Sequence, residues 1–102
     1  MKLVDHIAYA QHLAADGEVH RGLDVAMGAL DDALGDGEFA EVDSTLRALD
    51  FEKLDVDLAV ALLMTAKPAR DRLPSRAAAV SRFATHVRAT LPEHSERILR
   101  WL

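Results

Sequence analysis

A chain of 102 residues has room for one hydrophobic core and not for two. Half of it is apolar and 28% is charged, which excludes a disordered polymer, and the absence of cysteine excludes a disulfide framework, thiolate zinc sites and thiol catalysis. The net charge of −5 divides unevenly: residues 1–50 hold eleven acids against three bases (net −8), and residues 51–102 hold nine bases against six acids (net +3).

Apolar residues recur at helical spacing along the whole chain, with punctuation between the periodic stretches. The first stretch, Leu3–Ala15, lines up Leu3, Ile7, Ala10 and Ala14 and stops at Asp16-Gly17, a glycine suited to the left-handed residue past a helix end. A second helix over residues 19–34 carries Leu23, Ala26, Met27, Leu30 and Leu34 and is expected to end at Gly35. Gly22 and Gly28 within it cost helix propensity, which points to close helix contacts at both. Asp36 is expected to cap a third helix, whose Phe39, Val42, Leu46 and Leu49 form the inner stripe. Asp43 and Arg47 then fall as an acid-first pair on its outer face.

Asp55 is expected to cap a fourth helix, Val56–Ala66. It is apolar nearly all round, so it belongs at the centre of the domain. Residues 67–75 read as the longest irregular connection, because Lys67 precedes Pro68. A fifth helix starts at Pro74 or Ser75, with Val80, Phe83, Val87 and Leu91 buried. Pro92 opens a sixth, with Glu93/Arg97 and Glu96/Arg100 as pairs four apart and Ile98, Trp101 and Leu102 as its apolar face. No sustained alternation competes for strands. The expected fold is an all-α bundle or short superhelix of five to six helices arranged as antiparallel hairpins, in one domain over residues 1–102. Leu62, Leu63, Leu46, Phe39, Val80 and Phe83 are its expected core.

The run Gly35-Asp36-Gly37-Glu38-Phe39-Ala40-Glu41-Val42, continuing to Leu46-Arg47-Ala48-Leu49, resembles the turn and second helix of a tetratricopeptide hairpin over residues 26–49. No second copy follows at that family's period of about 34 residues, and its closing proline is missing. The resemblance implies an α-hairpin able to present a concave face and identifies no ligand.

Candidate sites are few. Counting Asp32 as the first position of a calcium loop makes Asp36 fifth, Gly37 sixth and Asp43 twelfth, yet Leu34 stands third, where an oxygen ligand is needed. Acids at a helix start also oppose the macrodipole favourably, and that is the reading adopted. His6 and His12 diverge around their helix, and His20, His86 and His94 stand apart, so no metal is expected. No serine sits in a nucleophile-elbow frame and no glycine-rich loop resembles a phosphate cradle, so neither catalysis nor a cofactor is expected.

The connection Lys67-Pro68-Ala69-Arg70-Asp71-Arg72-Leu73-Pro74-Ser75-Arg76 is the sharpest candidate. It precedes a helix N-terminus, where free N–H groups and the dipole favour anions. Arg70, Arg72 and Arg76 there either grip a phosphate or an acidic partner, or pair with the chain's own acidic half. Trp101, beside Leu102, is the second candidate: its face is covered either by the chain's own core or by a second copy in a homodimer. The expected function is a small non-catalytic protein–protein interaction or adaptor module, docking another protein or itself. The alternative is a nucleic-acid- or phosphate-binding regulator using residues 67–76, against which the overall acidity argues. The apolar run Val56–Ala66 falls short of the roughly 20 residues of a membrane span. The first residues lack a signal peptide's basic-then-apolar pattern, so a cytoplasmic protein is expected. Nine arginines against three lysines, with abundant alanine, suggest bacterial or phage coding.

Overall fold

The computed structural model describes residues 1–102. The fold is all-α, with helices α1 Leu3–Ala15, α2 Val19–Gly35, α3 Phe39–Ala48, α4 Val56–Ala66, α5 Ser75–Thr90 and α6 Ser95–Leu99. α1 and α4 both pack on α2 and touch each other, and α3 lies against α5, so the acidic and basic halves share one globule. No helix is long and apolar enough to cross a membrane.

The first two turns are the same device used twice. At Asp16-Gly17-Glu18 the glycine has φ +88°, and the Glu18 amide donates back to the Leu13 carbonyl at 2.9 Å. At Asp36-Gly37-Glu38 the glycine has φ +75°, and the Glu38 amide donates to the Ala33 carbonyl at 2.9 Å. Each is a Schellman closure, which needs a residue that tolerates the left-handed region. The glycine that turns is therefore Gly37, and Gly35 remains helical. Asp36 closes α2 rather than capping α3, which starts after Glu38 without a side-chain cap.

Gly22 marks a close approach, as its position suggests. A Cβ there would lie 2.6 Å from the Ala10 carbonyl oxygen on α1, a backbone atom that cannot swing away. Gly28 has open space around it and marks no contact.

One contiguous buried cluster draws on α1 to α5. Leu46, Leu62, Leu63 and Phe83 are inside it as expected. Phe51 and Leu73 also belong to it although both lie in connections, where periodicity gives no signal. Phe39 and Val80 are only half-buried. Phe39 starts its helix with one ring face under the Arg72 guanidinium, 4.8 Å from the centroid. On α5 the inward stripe runs through Arg76, Ala79, Phe83 and Val87, which turns Val80 to the flank.

Asp55 caps α4 as expected, its carboxylate accepting from the amides of Asp57 (2.9 Å) and Leu58 (3.3 Å). Its own amide donates to Gln11 Oε1 at 2.7 Å, tying the start of α4 to α1. Lys67–Arg72 is not irregular but a 3₁₀ turn continuing from α4, with Pro68 in its first turn, where the missing N–H is harmless. The last helix is shorter than expected. It begins at Ser95 rather than Pro92, and neither Glu93/Arg97 nor Glu96/Arg100 forms an ion pair.

Candidate functional site

α4 has two apolar faces and the chain covers only one of them completely. Leu58, Ala59, Leu62, Leu63 and Ala66 point into the core. Val56, Val60 and Met64, four residues apart, form a straight ridge along the flank of that face, Val56 and Val60 packing partly against the core. Val56 and Val60 are half-buried and Met64 is 38% exposed. α6 lies beside this ridge, leaving a cleft of about 290 Å³ floored by the ridge and Ile98 and rimmed by Asp57, Arg97 and Trp101. Trp101 is 64% exposed, the most open large apolar residue of the chain apart from Met1. The expectation that α4 lies at the centre of the fold holds for its inner face alone.

A tryptophan on a frayed segment would mean little, but the backbone at Trp101 is held. Lys67 Nζ donates to the Trp101 carbonyl at 2.6 Å, and Arg76 Nη2 donates to the Leu102 main-chain oxygen at 3.0 Å. Arg76 Nε also donates to the Leu63 carbonyl at 3.0 Å, where the 3₁₀ turn has redirected the Lys67 amide to Met64. Arg76 is thus an interior strut, only 5% exposed, between the end of α4 and the segment that carries Trp101. Burial pushes its guanidinium below the ordinary arginine value, and the like charge of Arg70 adds to the effect. It remains charged, because arginine starts so high.

The basic connection is therefore not a row of three surface arginines. Arg76 is withdrawn inside. Arg70 is exposed, with Nη1 donating to the Lys67 carbonyl at 3.0 Å, and Arg72 is exposed over Phe39. None of the three forms an ion pair with the acidic half.

The N-terminus of α5 already has an anion, and it comes from the chain itself. Asp43 of α3 accepts from the Ser75 amide at 2.7 Å through Oδ1 and from the Ser75 hydroxyl at 2.9 Å through Oδ2. Arg47 Nη2 donates to the same Oδ2 at 3.1 Å, and Arg47 Nε donates to Ser75 Oγ at 3.2 Å. Asp43 is 7% exposed, so it does not lie on the outer face of α3 as the sequence suggested. α5 lies over that position, and the orphan N–H of its first residue, Ser75, is what the carboxylate satisfies.

Burial opposes ionisation of Asp43, but the two hydrogen bonds from Ser75 and the Arg47 charge outweigh it and hold the carboxyl below its ordinary 3.8. A depressed carboxylate contributes stability above its unfolded value and loses it as pH falls through the folded one. Asp43→Asn is accordingly expected to lower the thermal midpoint at neutral pH, by the equivalent of about 1–2 kcal/mol, because the amide still accepts from Ser75 but the negative charge facing Arg47 and the α5 N-terminus is gone. The gap between wild type and variant closes below 3.8, once Asp43 is protonated in both folded and unfolded chains. A pH series of thermal melts checks this, and a gap that stays constant into acid would remove the charge from the explanation.

Five other acids, Asp5, Asp32, Asp36, Glu38 and Glu41, line an open groove of about 1060 Å³ beside the start of α1, together with Val25 and Ala29. Glu41 has an internal task there, accepting from the Leu3 amide at 3.2 Å. No three His, Asp or Glu side chains gather in an arrangement able to hold a metal ion.

Of the candidates legible in the sequence, the fold brings Arg76 and Trp101 together through the backbone at 101–102 and leaves Arg70 and Arg72 apart from them. It adds the ridge Val56, Val60, Met64, whose signal was present in the four-residue spacing but was absorbed into the expectation of a wholly buried helix. No protein-family model, curated protein or solved structure matches this chain. The hairpin likeness of residues 26–49 therefore stands on its own residues.

Proposed function

We propose that this chain is a small non-catalytic helical interaction module, in a bacterial or phage-derived cytoplasmic setting, that docks a protein surface in the cleft between α4 and α6. One observation carries the reading: Lys67 holds the Trp101 carbonyl and Arg76 the Leu102 oxygen beside it, while most of the Trp101 surface faces solvent beside a partly uncovered apolar ridge. Tryptophan is enriched among the residues that dominate interface energies. A backbone already fixed before binding lowers the ordering cost, so the indole and its neighbours start close to their bound arrangement. Met64 contributes an adaptable surface next to it.

The test is affinity capture from the native cell extract with wild type, Trp101→Ala, Met64→Glu, and Arg70→Glu with Arg72→Glu combined. A docking cleft loses its captured protein in the first two variants, with an unchanged helical signal, and keeps it in the third. Retention unaffected by Trp101→Ala and Met64→Glu would remove the cleft from the function. Capture lost only with the two arginine changes, and weakening steeply with salt, would favour the phosphate-binding alternative.

A further inference from the structure

We infer that the occupant of the α4–α6 cleft is a second copy of this chain, related by a two-fold axis through the cleft; this rests on the docking role just proposed. The first argument is the composition of α4. α4 is apolar nearly all round, apart from Asp57 and Thr65, and such a helix is stable in water only when its apolar flanks are covered. α6 has five residues and covers the ridge of α4 only in part, leaving Met64 and Trp101 exposed.

The second argument is charge. The rim carries one acid, Asp57, and one base, Arg97, and neither forms an ion pair within the chain. A two-fold interface places the same patch against itself, so that each residue meets its counterpart's neighbour and the reverse. An acid and a base on one rim, unpaired at home, make such a patch complementary to itself: Asp57 of each copy faces Arg97 of the other. A patch of single sign would repel its own copy.

The third argument is the anchor. Trp101 stands on the rim of a cleft that has apolar walls and no side chain filling it. Under two-fold symmetry each indole enters the cleft of the other copy, and the ridge Val56, Val60, Met64 packs against its equivalent at an angle natural to ridges four residues apart. The held backbone at 101 and 102 means that both anchors are in position before the copies meet.

The experiment measures mass by sedimentation equilibrium over a concentration series, with the emission of Trp101, the single tryptophan, as a local readout. Wild type is expected to move from 11.2 kDa toward twice that mass, with a blue-shifted emission as the indole leaves water. Trp101→Ala, a change at an exposed residue that leaves the fold intact, weakens association by a factor of about 30. Asp57→Arg and Arg97→Asp each remain monomeric alone, because like charges then face each other. Mixed in equal amounts they associate, since the first variant brings a base at both positions and the second an acid at both, so that each contact again joins opposite charges. That rescue also shows that each variant is folded.

A wild-type mass that stays at 11.2 kDa at the highest concentration reached overturns the second-copy assignment. So does a dimer indifferent to Trp101→Ala, or a mixture no better than its components. If the chain is monomeric yet Trp101→Ala still abolishes capture of a different protein, the docking cleft stands and only its occupant was wrong.

Discussion

Replacing Leu62 by alanine is expected to lower the unfolding free energy by about 2–5 kcal/mol, out of a total of about 5–15 for a domain of this kind. Leu62 is fully buried on the inner face of α4, the helix that packs against both α2 and α5. Its side chain is surrounded by elements tied in place elsewhere: α2 by the backbone approach at Gly22, and α5 by Asp43. Such a site collapses poorly when atoms are removed, so most of the cavity remains and the cost falls toward the upper part of the range. The check is a urea titration. The midpoint drops while the slope stays that of the wild type, since the surface exposed on unfolding hardly changes. An unchanged midpoint would place Leu62 outside the packed interior.

Arg76→Met is expected to act on stability and on the docking segment together. The methionine keeps an apolar stem in the interior but leaves the carbonyls of Leu63 and Leu102 without the donors that Arg76 supplies. Hydrogen bonds from a charged donor contribute about 1.5–3 kcal/mol each, and the relief of a desolvated guanidinium offsets part of the loss. A net loss of about 2–4 kcal/mol follows. The second readout is local. Because Trp101 is the single tryptophan, its fluorescence anisotropy reports the segment that Arg76 holds. Anisotropy should fall in Arg76→Met at temperatures where the helical signal is still complete, and it should not fall in Leu62→Ala at equal stability. Equal anisotropy in both variants would show that Arg76 braces the core without holding the docking segment. Any charge reversal meant to probe the basic connection has to be confined to Arg70 and Arg72, since Arg76 is interior.

Features that depend on near neighbours along the chain are legible before the fold is known. The spans of α1, α4 and α5, the cap at Asp55 and the left-handed Gly17 could all be read directly, because each is decided by residues within a turn or two of itself. The burial of Leu46, Leu62, Leu63 and Phe83 followed from the same periodicity. The stop at Gly37 rather than Gly35 shows where that reasoning thins: two glycines compete within one turn, and the Asp-Gly-Glu pattern already closing α1 was the clue that resolves them.

Features that require two distant segments to meet are settled by packing instead. Asp43 looks like a surface acid until α5 is laid with its N-terminus on it, 32 positions away. Arg76 looks like a member of a basic patch until the end of α4 and the backbone at 102 present it with carbonyl oxygens to satisfy. Phe51 and Leu73 sit in connections, and their burial depends on which helices flank them. The docking cleft has the same origin. Helical periodicity says that α4 is apolar nearly all round, but a periodic pattern cannot say how much of its flank the five residues of α6 leave uncovered. Local propensity and patterning act within a few residues, whereas burial, and with it the pairing of polar groups and the surface left for a partner, is settled by the packing of the whole chain.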